Sequence, residues 1–167
     1  DLGVLKNQVG SFYDPKMVII DTLYLETLCD KELLSGYAEI FKHSIISNTN
    51  TFNSLISNDL NFKNINIIRE SIEIKNNIVL IDKREKKERK ALNYGHTLGH
   101  AIESYFLNSN KKLLHGEAIS IGIILASFIS SKKVGLSNFY LDKIKNHIQE
   151  IYKKISFSKI DINEIIK

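Results

Sequence analysis

From Thr22 onward, apolar residues recur every three or four positions, the period of a helix with one buried face, in blocks separated by short polar breaks. The first block, Thr22 to Leu28, is short. Asp30 then reads as an N-cap for a helix from Lys31 to about Ser47, whose apolar stripe is Leu34, Ala38, Phe41 and Ile45. After the polar break Ser47-Asn48-Thr49-Asn50 the pattern predicts a helix near Thr51 to Ser57 and a longer one from about Asn64 to Ile81. In the longer helix Ile65, Ile68, Ile72 and Val79 repeat at helical spacing, and Ile67, Ile74 and Ile78 widen the face. Further helices are predicted over Ala91 to about Phe106, Gly116 to about Val134, Asn138 to Tyr152 and Ile160 to Lys167. Lys132, Lys133 and Gly135 form a stop signal, with cations in the last turn and a glycine after it. Met17-Val18-Ile19-Ile20-Asp21, following the turn signal Asp14-Pro15, is the one segment of β character. The pattern therefore predicts an all-α domain over residues 1–167 with one short N-terminal strand, residues 1–21 forming a linker and strand segment.

Composition narrows this picture. A chain of 167 residues with 43% hydrophobic content can bury one core but leaves little room for a second full domain. The net charge of +4 is modest, and the lysines are scattered or mixed with glutamates. The densest run, Lys83-Arg84-Glu85-Lys86-Lys87-Glu88-Arg89-Lys90, reads as a solvated helix end or loop rather than a phosphate-binding patch; no aromatics interleave it, and no nucleic-acid partner is expected. Ala118 to Ser131 is the most apolar stretch. Ser120, Gly122 and Ser127 interrupt it, and it is shorter than the roughly 20 residues of a membrane helix, so it reads as a buried core helix with no membrane role. The single Cys29 cannot form an internal disulfide and reads as a packed thiol; with no signal-peptide pattern, a cytoplasmic location is expected. The abrupt opening at Asp1 reads as a chain cut from something longer.

The candidate chemistry lies in the histidines. His96, His100 and His115 fall within twenty residues. The first two are four apart, so a helix places them on one face, and His115 returns after a loop at the mouth of the next helix. Imidazole is a common zinc ligand, and Glu39 or Glu117 could add an oxygen. The pair lacks the glutamate of the metalloprotease pattern His-Glu-x-x-His, so spacing leaves a metal site and ordinary polar histidines both open. His43 and His147 read as satisfied polar residues. Glu39 and Lys42, three apart beside the apolar stripe, read either as a surface ion pair or as a functional pair. Lys75 lies within the stripe of its helix. It is either a long stem covering the core or a cation facing an anion.

A set of motifs then resembles a known family: Lys6-Asn7-Gln8-Val9-Gly10-Ser11-Phe12-Tyr13, Ser35-Gly36-Tyr37-Ala38-Glu39-Ile40-Phe41-Lys42-His43, Glu73-Ile74-Lys75, the spaced Glu85 and Arg89, Leu92-Asn93-Tyr94-Gly95-His96-Thr97-Leu98-Gly99-His100-Ala101-Ile102-Glu103, and His115-Gly116-Glu117-Ala118. In this order they resemble the C-terminal, zinc-binding helical domain of the 3-dehydroquinate synthases, members of the sugar phosphate cyclases. The resemblance implies Glu39, His96 and His115 as ligands of Zn2+, with Co2+ as a possible substitute. It implies His100, Lys42 and Glu85 as catalytic residues, and Lys6, Asn7, Lys42, Lys75, Arg89, Asn93 and His100 as contacts to substrate. Three protein ligands with open positions suit a catalytic zinc. No cation is assigned to phosphate or to carboxylate, and no motif marks the family's further C-terminal substrate lysine.

The implied reaction converts 3-deoxy-D-arabino-heptulosonate 7-phosphate to 3-dehydroquinate and phosphate, a lyase step of the shikimate pathway toward chorismate and aromatic amino acids. In it NAD is reduced and regenerated around oxidation at C5, elimination of phosphate, re-reduction, ring opening and closure, with substrate phosphate able to serve as base. The family carries an N-terminal α/β domain that holds most of the NAD site, and no strand, glycine-rich turn and helix unit is legible here. The chain alone is therefore expected to retain zinc with little turnover, to need that domain as partner, and to form a homodimer only as a family-level expectation. Alternatives are another sugar phosphate cyclase, such as a 2-deoxy-scyllo-inosose or valiolone-type synthase, a metal-dependent alcohol dehydrogenase, or a non-catalytic metal-binding domain.

Overall fold

A computed structural model of the chain describes residues 10–11, 13–57, 61–107 and 112–166. Among the described residues seven α-helices follow one another: α1 (Asp30–Ser47), α2 (Thr49–Ser57), α3 (Ile65–Ile81), α4 (His96–Phe106), α5 (His115–Lys133), α6 (Asn138–Ile151) and α7 (Lys159–Ile165). Two 3-10 helices, Thr22–Thr27 and Glu88–Asn93, lie before α1 and α4. Capping follows the chemistry of the breaks. Asn64 accepts from the Asn66 N–H at 2.9 Å at the mouth of α3, and Ser158 and Asp161 cap α7 reciprocally.

Three expectations need correction. No strand is present among the described residues: Met17–Asp21 is irregular, with Met17, Val18 and Ile19 at 73%, 68% and 83% exposure. A strand exists only when a second backbone completes its ladder, and no described segment does so. Asp30 is the first residue of α1 rather than its cap; Cys29 takes the cap position, and Asp30 and Glu32 favour the helix through their charge near its N-terminus. Cys29 is accordingly an exposed thiol, because the helix mouth faces solvent.

Helix α5 is the axis of the fold. Gly116, Ala118, Ile119, Ser120, Gly122, Ile123 and Ser127 are all buried along it, while Leu125, Phe128 and Ile129 toward its far end are exposed. It packs against α4, α1 and α6. One core joins Tyr37 and Phe41 of α1, Phe52 of α2, Ile119 and Ile123 of α5, and Ile144 and Ile148 of α6. A smaller one joins Ile102 and Phe106 of α4 to Ala118, with Phe157 and Ile165 covering it. Among the described residues no helix is long and apolar enough to cross a membrane.

Small residues bring three helices unusually close. A Cβ at Gly122 would overlap the Gly95 carbonyl oxygen and approach the Gly99 nitrogen to 2.8 Å, and a Cβ at Gly116 would overlap the Ser35 backbone. These contacts fix how the mouths of α4 and α5 meet the middle of α1.

Candidate active site

Gly95 adopts φ 79°, a left-handed conformation that favours glycine, and it divides the expected Ala91–Phe106 helix into the 3-10 turn Glu88–Asn93 and α4. The kink makes His96 the first residue of α4. His115 is likewise the first residue of α5, anchored by the Ser35 hydroxyl, which accepts from the Gly116 N–H at 2.9 Å, and by the Glu117 carboxylate, which accepts from the Leu114 N–H at 2.8 Å. Glu39 comes from the middle of α1, one turn beyond Ser35.

These elements bring three donor atoms together. Glu39 Oε1 lies 3.1 Å from His96 Nε2 and 3.6 Å from His115 Nε2. Each imidazole turns its other nitrogen to an acceptor: His96 Nδ1 to the Tyr94 carbonyl at 3.3 Å, His115 Nδ1 to Glu103 Oε2 at 3.2 Å. With the proton on Nδ1, the tautomer those acceptors favour, both Nε2 lone pairs face the carboxylate oxygen. Glu39 Oε1 is buried and makes no hydrogen bond, although His96 Nε2 approaches it to 3.1 Å. Burial opposes ionisation of Glu39, but the Lys42 ammonium, together with His96 where its ring carries a proton on Nε2, outweighs it and holds the carboxyl well below the ordinary range.

Lys42 donates to Glu39 Oε2 at 2.5 Å, and its side chain is only 4% exposed. The pair is therefore not the minor surface ion pair that spacing allowed. Burial lowers the Lys42 pKa, with the Glu39 charge opposing the shift and the Lys75 charge adding to it. Lys75 is exposed, and it stands close enough to act on both Lys42 and His43, so it lies on the site's side of α3 rather than in the core. His100 is exposed, its ring 5.2 Å from His96 and 5.6 Å from His115. One ligand atom from each of His96, His100 and His115 lies within 4.8 Å of the others. His43 is buried, bonded through Nδ1 to Ser71 Oγ at 2.7 Å, and burial pushes its pKa down to about 4. His147 is buried against Tyr37, whose hydroxyl lies 2.9 Å from its Nε2, in keeping with a packing role.

Glu85, Arg89 and Asn93 share the turn between α3 and α4. Asp82 organises it by accepting from the backbone N–H groups of Lys86 at 3.0 Å, Lys87 at 2.6 Å and Arg89 at 3.2 Å. Those amides of Lys86 and Lys87 are the main reason the Asp82 carboxyl is held below its usual pKa. Glu85 takes a positive φ of 54° and accepts from Asn93 Nδ2 at 2.5 Å, while Arg89 Nη1 donates to the Lys83 carbonyl at 2.7 Å. Lys6 and Asn7 lie outside the described residues. The sequence reading missed Asp82, Ser71, Ser35 and Glu103 as supports of the site, since each acts through a contact distant in the chain or through backbone amides.

The family model for the C-terminal region of 3-dehydroquinate synthase matches residues 36–167. The chain belongs to the 3-dehydroquinate synthase C-terminal family. Among similar curated proteins, the 3-dehydroquinate synthase of Parabacteroides distasonis is 38% identical over 165 residues, covering 96% of this chain and 47% of that protein. Those of Thermoanaerobacter pseudethanolicus and Nitratiruptor sp. are 39% and 42% identical over 171 and 148 residues, covering 97% and 86% of this chain and 48% and 41% of theirs. The chain thus spans about half the length of the 3-dehydroquinate synthases it matches. The match covers Glu39 and Lys42 of α1, α3 with Lys75, the Asp82 turn, and the mouths of α4 and α5.

Proposed function

We propose that Glu39, His96 and His115 hold a zinc ion and that the chain supplies the metal- and substrate-binding half of a 3-dehydroquinate synthase. One observation carries the metal assignment: a buried carboxylate oxygen with no hydrogen bond faces two imidazole nitrogens, which are acceptors when the rings carry their protons on Nδ1. Acceptors directed at one another repel unless a cation sits among them, and Lys42 is engaged with the other carboxylate oxygen. Separations of 3.1 and 3.6 Å bracket the ~3.3 Å expected between two ligands that each lie about 2.0–2.1 Å from one tetrahedral ion. Cobalt, with similar ligand preferences, is a fitting substitute.

Zinc held by Glu39, His96 and His115 would supply Lewis-acid polarisation of a substrate hydroxyl, and NAD would supply the hydride chemistry. The chain's own residues bind, orient and balance charge. Lys42 and Lys75 give two cations beside the centre, and Arg89 and Asn93 give guanidinium and amide donors from the Asp82 turn, a set suited to a substrate with carboxylate and phosphate groups. His100, exposed next to both ligand histidines, is positioned to bond a substrate hydroxyl and carry its proton. Glu85 orients Asn93 within the turn. Lys6 and Asn7 are proposed as further contacts on the motif resemblance alone.

In this reading 3-deoxy-D-arabino-heptulosonate 7-phosphate is converted to 3-dehydroquinate and phosphate in the cytoplasm, and NAD is held mainly by the part of the relatives' length that this chain does not span. The family match and the names of the relatives favour this substrate over those of other cyclases. The test is reconstitution: the chain combined with the N-terminal part of the Parabacteroides distasonis enzyme, supplied with zinc, NAD and the heptulosonate, assayed for phosphate release and dehydroquinate. Turnover that disappears with Glu39→Ala is the expected result. No turnover with the heptulosonate, alongside cyclisation of glucose 6-phosphate or sedoheptulose 7-phosphate, would reassign the substrate.

A further inference from the structure

We propose that Glu103 is a positioning residue of the metal centre, a buried carboxylate that fixes the tautomer and ring angle of His115 and strengthens it as a ligand. The proposal rests on the reading of His115 as a ligand and deepens it. Glu103 lies on α4 seven residues after His96, so the helix that supplies one imidazole also supplies the outer partner of the other. Its Oε2 is 3.2 Å from His115 Nδ1, and the residue is 9% exposed. A carboxylate so far removed from water is costly unless a donor meets it, and the His115 Nδ1–H is such a donor.

The two imidazoles are held by partners of different charge. His96 Nδ1 faces the neutral Tyr94 carbonyl at 3.3 Å, whereas His115 Nδ1 faces a carboxylate. A carboxylate on the far nitrogen draws the Nδ1 proton outward and enriches Nε2 in electron density, so His115 becomes the stronger electron donor to a metal. It also adds a negative charge at a site where Lys42 has introduced a positive one beside Glu39. The backbone at His115 is fixed separately, by Ser35 holding the Gly116 N–H. Glu103 therefore governs the rotation of the ring, which the backbone anchor leaves open.

Zinc affinity by chelator competition, the visible spectrum of the cobalt-loaded chain and the unfolding midpoint of the metal-free chain would be measured for Glu103→Gln, Glu103→Ala and His115→Ala. Glu103→Gln keeps size and an acceptor oxygen but removes the charge, so it guards against misfolding of the alanine variant. The expected result is a loss of zinc affinity of roughly 10- to 100-fold in Glu103→Ala, a smaller loss in Glu103→Gln, and a shifted cobalt band in both. Wild-type affinity and cobalt spectra in both Glu103 variants, with His115→Ala impaired, would overturn this proposal alone. Undiminished zinc binding by His115→Ala would instead overturn the ligand assignment beneath it.

Discussion

Gly122 of α5 lies directly beneath the carbonyl of Gly95, so close that a methyl group at 122 would overlap that oxygen. Gly95 precedes His96 and turns the chain into α4, so the helix crossing is set at the residue that aims the first imidazole. Fold and site are coupled at this contact, with backbone against backbone and no side chain able to yield. Gly122→Ala is expected to lower stability by about 2–3 kcal/mol and to weaken zinc binding, because α5 must move away from α4. Denaturant unfolding and chelator competition measure both effects, and an unchanged midpoint would show that the crossing has slack.

Removing ligands should separate the roles of the clustered histidines. Glu39→Gln and His115→Ala are each expected to lower zinc affinity at least tenfold, whereas His100→Ala should retain one zinc per chain and lose turnover in the reconstituted enzyme. Competition titration against a chelator reads the first, metal analysis and product formation the second. Loss of the metal in His100→Ala with Glu39→Gln unaffected would favour the all-histidine set.

The helical layout was legible because apolar periodicity and polar breaks are local signals, and α3, α5 and α6 fall within a residue or two of their expected limits. The buried face of α1 was legible only in part. Leu33, Tyr37 and Ser44 are buried beside the expected Ala38 and Phe41, since α2, α3 and α5 all pack on this helix and a single stripe does not describe it. Periodicity cannot tell that Lys42 is buried, because its burial depends on the carboxylate and helices around it. The break at Gly95 was hidden for a similar reason: one glycine in a helical pattern is ordinarily tolerated, and what a side chain there would collide with is the backbone of Ile123 on another helix. Motifs marked Glu39, His96 and His115, but the contact between Glu103 and His115 spans two helices and no spacing rule reports it.

The buried His43 gives the fold an acid-sensitive point. Burial, aided by the Lys42 charge, lowers its pKa from 6.5 to about 4, so the unfolded chain binds the proton more readily than the folded one. Stability from this group is present above pH 6.5 and is lost as pH falls toward 4, with an upper limit of roughly 3 kcal/mol. In metal-free protein, where release of zinc cannot contribute, His43→Gln is expected to show a smaller loss of stability between those pH values than the unsubstituted chain. Parallel pH dependences for the two proteins would remove His43 as the cause.

Asp82 should control the turn that carries Glu85, Arg89 and Asn93. Its two carboxylate oxygens gather three backbone amides, and the opposite wall is closed by Arg89 on the Lys83 carbonyl and Asn93 on Glu85. Glu85 is held at positive φ, a conformation a free chain would leave, so the turn depends on the carboxylate to stay formed. The same amides lower the Asp82 pKa, and the sign follows: their stabilisation is complete above the ordinary value of 3.8 and is lost only as pH falls below it. The turn should therefore be insensitive to pH near neutrality and sensitive to the side chain itself. Asp82→Ala is expected to speed amide exchange at Lys86, Lys87 and Arg89 while leaving exchange in the middle of α5 unchanged. In the reconstituted enzyme it should raise KM for the phosphorylated substrate more than it lowers kcat, because Arg89 and Asn93 lose their placement while the zinc ligands keep theirs. Exchange at the three amides as slow as in the unsubstituted chain would mean that the turn is held by its arginine and asparagine contacts and not by Asp82.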